Sequence, residues 1–260
     1  MKKLTLTALF IALSACAPEP TVIAPNTCKA IGYEYDLDAL NYELVWSDEF
    51  DVDGEPDPTR WGFDEGGGGW GNRELQFYTR GDNVEIRDGQ LIIEARKEER
   101  GRYNFTSTRL VSRNRGDWRY GKFEISAKMP DVLGTWSAIW MLPTVNQYGS
   151  WPTSGEIDIM EGLSEHKACW HYHYLDTSGN HQGPGGCANL SDSTGWHIFA
   201  VNWQPGKLTY YYDGIKVGDW TVGVVGADHF IILNYGINDR YGINVPATML
   251  VDYVRVWKPR

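Results

Sequence analysis

The stretch "SGEIDIMEG" at 154–162 sets three carboxylates, Glu156, Asp158 and Glu161, into six consecutive positions of an otherwise apolar run. Ile157, Ile159 and Met160 give it strand character, and side chains of a strand alternate between two faces. Glu156 and Asp158 therefore share a face, whereas Glu161, at an odd offset of five from Glu156, falls on the opposite side of a regular strand. One extra residue, a β-bulge, returns all three acids to one face, and bulges commonly re-aim side chains beside active sites. The competing reading is an amphipathic strand whose acids simply meet solvent.

Converging acids of this kind suit cleavage of a glycosidic bond. Along a strand the two glutamates have Cα atoms roughly 13 Å apart, less where the strand bends. Their carboxyls can then lean to the ~5–5.5 Å at which one serves as nucleophile and the other as acid/base on the same bond. Asp158 adds a third charge, and three carboxylates this close cannot all ionise cheaply at neutral pH. At least one keeps a proton, which is what a general acid requires.

The aromatic inventory points to a sugar. Twelve tryptophans and fifteen tyrosines exceed what a core of this size needs, and Trp70, Trp118, Trp136, Trp151 and Trp170 lie beside Gly-rich stretches. Flat rings offer apolar faces to pyranoses while polar atoms fix the hydroxyls. Trp136 and Trp140, four apart and near the acids, are the preferred platforms; at least half of the tryptophans belong to core or structure. "EGGGGWGNRE" at 65–74 lacks the Lys-Ser/Thr ending and following helix of a phosphate loop. Its glycines instead let backbone and Trp70 approach a ligand closely. His171 and His173 share a strand face, but no Cys/His/Asp cluster nearby completes a zinc site, which favours buried or substrate-contacting histidines. No GxSxG nucleophile elbow occurs.

Those residues must be positioned by strands. From residue 42 onward short strand-like runs alternate with "DG", "PG" and Gly-rich turns, no segment keeps a helical period, and no fixed-period repeat is present. The pattern predicts one all-β domain over 41–260, an antiparallel sandwich or barrel. A hydrophobic content of 42% is ample for its core. The formal charge of −10 argues against nucleic acid and anionic membrane surfaces, leaving a neutral ligand.

The N-terminus reads as export machinery: Lys2 and Lys3, an apolar run from Leu4 to Ala12, then "LSAC" at 13–16. "LSAC" resembles the bacterial lipobox, which implies a signal peptide over 1–15, lipidation of Cys16, a Pro-containing tether over 16–40 and an anchored protein of the bacterial cell envelope. An ordinary cleavable signal with an incidental cysteine is the alternative. In an oxidising compartment Cys169 and Cys187 could close the Gly-rich segment between them, although Cys28 could equally be a partner.

"GEIDIMEG" also resembles the active-site strand of glycoside hydrolase family 16 in its bulged form, E-x-D-x-x-E. "LVWSDEF", "GGGGWGNRELQFYT", "TSTRLVS", "YGKFEISAKMP", "GTWSAIWMLP", "HIFAVNW" and "MLVDYVRVW" are similar, in order, to the laminarinase-like branch across most of residues 42 to 258. After "FIILN" that branch usually continues with Gly-Gly and a tryptophan, whereas "YGINDRYGIN" follows here. The resemblance implies a β-jelly-roll sandwich of two antiparallel sheets with a concave cleft and retaining hydrolysis. It implies Glu156 as nucleophile, Glu161 as acid/base and Asp158 as the residue tuning the nucleophile. Asn72, Glu74, Arg109, Trp136 and Trp140 match sugar-contacting positions. His171 lies in the strand that carries a substrate-facing histidine, a role His173 takes if the register slips by two. Catalysis is expected to need no cofactor. A structural calcium is implied for the convex side, where Glu49, Gly89 and Asp252 occupy matching motifs, although two isolated carboxylates could equally be surface groups.

The resulting expectation is a monomeric, endo-acting retaining hydrolase of a neutral polysaccharide, β-1,3-glucan such as laminarin. A galactanase of agarase or porphyranase type is the alternative, kept open by Arg73, Arg109, Arg113, Arg115 and Arg240. Glucan-binding relatives without catalysis typically lose the acids, all of which are present here.

Overall fold

Alternating apolar residues over so many short segments need two layers to bury them. The computed structural model describes residues 41–130, 135–164, 167–190, 192, 195–239 and 243–260. The signal peptide, tether, Cys16 and Cys28 expected within 1–40, and Arg240, lie outside those residues. No α-helix occurs among the described residues.

Two large sheets form among them. The eight-stranded sheet runs in the order Ile215–Trp220, Lys207–Tyr212, Trp196–Gln204, Gly121–Lys128, Ala247–Pro259, Gln90–Ala95 and Val84–Arg87, with Tyr42–Asp48 also paired to Ala247–Pro259. The nine-stranded sheet runs in the order His181–Gln182, Lys167–Leu175, Glu156–Ser164, Thr135–Pro143, His229–Ile237, Arg109–Val111 and Gly62–Phe63. Gly185–Asn189 pairs with Lys167–Leu175, and Asp117–Trp118 with His229–Ile237. Every pairing in both sheets is antiparallel, giving the expected jelly-roll sandwich.

The core lies between the layers. Phe123, Ile125, Phe199, Val201, Leu208 and Val254 from the first sheet meet Ile139, Met141, Ile157, Ile159, Ile231 and Leu233 from the second, all essentially inaccessible. Each such side chain contributes roughly 1.5–3 kcal/mol by leaving water. Two tyrosines of Lys207–Tyr212 cross the core and spend their hydroxyls on the opposite sheet. Tyr210 donates to the His171 carbonyl at 3.0 Å and Tyr212 to the Ile159 carbonyl at 3.0 Å. The strands that carry the acids and the histidines are thereby fastened from behind, and buried polar atoms are satisfied in doing so.

Candidate active site

The outer face of the nine-stranded sheet floors a cleft of about 840 Å³. Its central strand, Glu156–Ser164, begins after Gly155, whose φ is +83°. A Cβ at Gly155 would meet Val225 Cγ2 at 2.8 Å and the Tyr172 hydroxyl at 3.1 Å, so the strand entry accepts only glycine.

The bulge is present. Against Thr135–Pro143, Met160 faces Ile139 while Asp158 faces the next residue, Trp140, leaving Ile159 without a partner. Against Lys167–Leu175, Asp158 faces His171 and Glu161 faces Cys169, three steps on one strand against two on the other. Ile159 and Met160 both turn into the core at 0% exposure. Glu161 is thereby returned to the face of Glu156 and Asp158, and both glutamates line the cleft.

Each acid has its own neighbours. Glu156 Oε2 accepts the Trp151 indole N–H at 2.7 Å. Glu161 Oε1 accepts the Trp136 indole N–H at 3.0 Å, and its Oε2 lies 2.5 Å from His171 Nδ1. Asp158 sits beneath at 3% exposure. His173 Nε2 is 3.3 Å from Asp158 Oδ2, within ion-pair reach, yet that oxygen has no aligned hydrogen-bond donor. Burial, then the Asp158 charge, push Glu156 up to about 8. Burial, then the Glu161 charge, push Asp158 well above the usual carboxylate range. The cluster thus holds protons that isolated carboxylates would have lost, as a site needing both an acid and a nucleophile requires.

The sugar-binding candidates divide into those that line the cleft and those that support it. Asn72, Arg109, Trp136, Trp140 and His171 line it, and so does His173, so both histidines face the cleft. Glu74 is not among the lining residues. It ends a relay behind the wall: Trp140 Nε1 donates to Asn234 at 2.6 Å, Asn234 Nδ2 to Tyr78 at 2.9 Å, and the Tyr78 hydroxyl to Glu74 at 2.7 Å. This relay fixes the plane of the Trp140 ring. The Arg109 guanidinium lies between Trp70 and Trp140, 4.8 and 4.6 Å from their centroids, and faces Asp64 at 3.2 Å. Arg113 grips the same Asp64 through two nitrogens, at 3.0 and 3.2 Å. Arg115 turns away, to the Pro58 and Arg113 carbonyls. Asn234, Asp64 and His181, which lies 2.9 Å from His173 Nδ1, were not singled out by sequence.

With this geometry in place the chain can be compared with known proteins. Residues 71–223 match the family described as Glycosyl hydrolases family 16. The chain belongs to that family. It is 38% identical over 258 residues to the beta-glucanase of Rhodothermus marinus, covering 89% of this chain and 90% of that one. The solved laminarinase of Rhodothermus marinus superposes with a TM-score of 0.77 at 37% identity, over 84% of this chain and 97% of that one. The laminarinase catalytic domain of Thermotoga maritima superposes at 0.76 with 33% identity, over 85% and 99%. The family 16 glycoside hydrolase described here is therefore similar to laminarinases over almost their full length.

Two further expectations meet the structure away from the acids. Cys169 and Cys187 are joined by a disulfide. On the side where calcium was expected, Glu49 is forked by Arg255 at 3.0 and 2.7 Å, so its carboxylate is already engaged. Asp252 keeps a carboxyl raised by burial and by the charges of Glu49 and Asp51. Arg255 and a hydrogen bond from Ser126 act against that rise. Among the described residues, the groups of three ligating side chains are Glu156, Asp158, His173 and Asp158, Glu161, His171, both in the cleft.

Proposed function

We propose that this family 16 enzyme is an endo-acting, retaining β-1,3-glucanase of the laminarin-cleaving kind, working as a monomer. The observation that carries the reading is the bulge that sets Glu156 and Glu161 on one cleft face with buried Asp158 between them. Glu156 attacks the anomeric carbon while Glu161 protonates the departing glycosidic oxygen, giving a glycosyl ester on Glu156. Glu161 then takes a proton from water, which attacks the same carbon from the face the leaving group vacated, so configuration is retained. Asp158, whose carboxyl is raised well above the usual carboxylate range by burial and the Glu161 charge, takes up the proton when Glu156 ionises to attack, which spares the nucleophile a second buried negative charge. Trp136 and Trp140 present rings along the floor for the flanking sugars.

A neutral glucan is favoured over a sulfated galactan because the cleft-lining guanidiniums, Arg109 and Arg113, both face Asp64, which offsets one of their two charges, and the cleft also holds Glu156 and Glu161. Digestion of laminarin, lichenan, agarose and porphyran with product sizing tests the reading. Laminarin is expected to fall to short oligosaccharides; intact laminarin beside cleaved agarose or porphyran establishes the galactanase instead. The lipobox-like "LSAC" supports anchoring through Cys16 in a bacterial envelope. Cys16→Ser should shift the protein from the membrane to the soluble fraction, and a membrane-retained variant removes the anchor.

A further inference from the structure

The two oxygens of Glu161 have different company. Oε1 accepts an indole N–H from Trp136, whereas Oε2 faces His171 Nδ1 at 2.5 Å. A proton on Oε2 meets an acceptor in Nδ1 when the ring carries its hydrogen on Nε2, and one on Oε1 would compete with the indole hydrogen. His171 stands opposite Asp158 and reaches Glu161 because the bulge moves that glutamate opposite Cys169, two residues from His171 on the same strand.

The imidazole is held from its other side. Gly185 of the edge strand Gly185–Asn189 is in register with His171, and Cys187 of that strand with Cys169. A Cβ at Gly185 would lie 2.1 Å from His171 Cδ2 and 2.7 Å from Nε2, so the Gly185 backbone already packs on the ring. The Tyr172 N–H donates to the Pro184 carbonyl at 2.9 Å, and the Cys169–Cys187 disulfide ties the strand covalently next to Glu161. The other titratable groups around the pair are Asp158 and Glu156 on the acid strand, His173 beside His171, and Tyr212 from the sheet behind.

We infer that His171 is a positioning residue for the acid/base, keeping the transferable proton on Glu161 Oε2, and that the disulfide-tied edge strand keeps the imidazole there. The inference rests on Glu161 being the acid/base. In the first step the proton leaves Oε2 for the glycosidic oxygen, which takes the electron pair of the breaking C1–O bond while a Glu156 oxygen bonds to C1. In the second, Oε2 takes a proton from water as the water oxygen bonds to C1 and the Glu156 ester breaks. His171 forms no covalent bond in either step.

Acid assistance matters for poor leaving groups and little for good ones, which separates this role from a structural one. The test uses laminarin with phenyl and 2,4-dinitrophenyl β-laminaribiosides. Glu161→Ala is the control: if it loses no more on the phenyl glycoside than on the dinitrophenyl one, the assignment of Glu161 fails, and the His171 inference with it. Given a selective control, His171→Ala should lower kcat on laminarin and the phenyl glycoside by roughly tenfold or more. Its rate of glycosylation by the dinitrophenyl substrate should stay within about threefold, and His171→Asn, which restores a polar group near Nδ1, should recover part of the loss. Equal losses on all substrates, or no loss, overturn the role of His171 while leaving Glu161 in place. The Cys169→Ala/Cys187→Ala double variant should show the same selective loss; an unchanged ratio overturns the part given to the disulfide. If that variant does not fold, Gly185→Ala drives a methyl against the ring and reads the same ratio, an unchanged value again being the overturning result.

Discussion

Both faces of the sandwich bury charge, but they treat it differently. On the outer side of the eight-stranded sheet, Lys122 and Glu124 are 2% and 3% exposed, as hidden as Asp158 in the cleft. There the charges are opposite and satisfied: Lys122 Nζ meets Glu124 Oε2 at 2.6 Å, the Tyr253 hydroxyl donates to Oε1 at 3.0 Å, and Lys122 lies 5.0 Å from the Trp257 ring centroid. In the cleft the charges are alike, an Asp158 oxygen has no aligned donor, and Glu156 and Asp158 are both pushed upward. Burial alone therefore does not mark chemistry. Burial among like charges that their neighbours only partly offset does, because it leaves protons available for transfer.

The comparison breaks most sharply by removing one charge from each region. Glu156→Gln should cut laminarin hydrolysis by about ten-thousandfold or more while glucan binding, read by affinity electrophoresis, persists. Lys122→Met should do the reverse. It leaves Glu124 buried without its cation, a loss of about 3–5 kcal/mol in urea unfolding, while kcat per folded molecule stays near normal. A Glu156→Gln enzyme that still hydrolyses laminarin removes Glu156 as nucleophile, and a Lys122→Met protein of unchanged stability removes the contrast.

How much of this was legible in sequence follows from the range of each interaction. The bulge was, because strand alternation is a local rule and Glu161 breaks its parity within six residues. Trp136 and Trp140 were, being four apart on one strand beside the acids. The choice between His171 and His173 was not, since residues two apart share a face and only the register, with Asp158 opposite His171, assigns their partners. Asn234 and Asp64 were invisible because each acts across the fold, on Trp140 at a separation of 94 residues and on Arg113 at 49. The same distance effect hid the Arg255 fork on Glu49, 206 residues away, which engages a carboxylate the sequence had offered to calcium. Glu74 matched a sugar-contacting position by motif, but its place behind Tyr78 depends on strand packing that no local pattern encodes.

A milder perturbation separates placement from chemistry. Deleting Met160 restores strict alternation, Glu-x-Asp-x-Glu, with Ile159 then taking the place opposite Ile139. The deletion keeps every acid and every charge. Glu161, however, should shift by an ångström or so relative to Trp136 and His171, at a cost of about a hundredfold in kcat. A deletion enzyme of full activity, with an unchanged melting temperature, shows that the bulge is not what sets the acid/base.

The remaining expected effects concern stability, which falls as pH rises in both sheets, in one because a penalty grows and in the other because a stabilising contribution is lost. Glu156 is raised from 4.5 to about 8 in the folded state. Between those values the fold holds a proton that the unfolded chain has released, so its stability falls as pH rises through that window. Glu156→Gln carries no such burden and should gain on the parent from little at pH 5 to a few kcal/mol at pH 8, at ~1.4 kcal/mol per unit discounted for the proton Asp158 shares. On the eight-stranded sheet, His197 Nδ1 lies 2.7 Å from Asp213, and that hydrogen bond raises the imidazole above 6.5. A raised histidine stabilises the fold fully below 6.5 and loses that contribution as pH climbs through its folded value. Asp213→Asn keeps an oxygen to accept the Ile198 N–H but removes the charge, so it should be weaker than the parent below pH 6.5, with the difference fading as pH climbs through the raised imidazole value. With the Asp213 side chain 44% exposed, solvent holds that difference under ~1 kcal/mol. Urea titrations of both variants at pH 5.5 and 8 read the two slopes together. A Glu156→Gln gain that does not grow with pH means that the cleft acids lose their protons as readily as surface carboxylates do, and the physical distinction between the two faces falls with it.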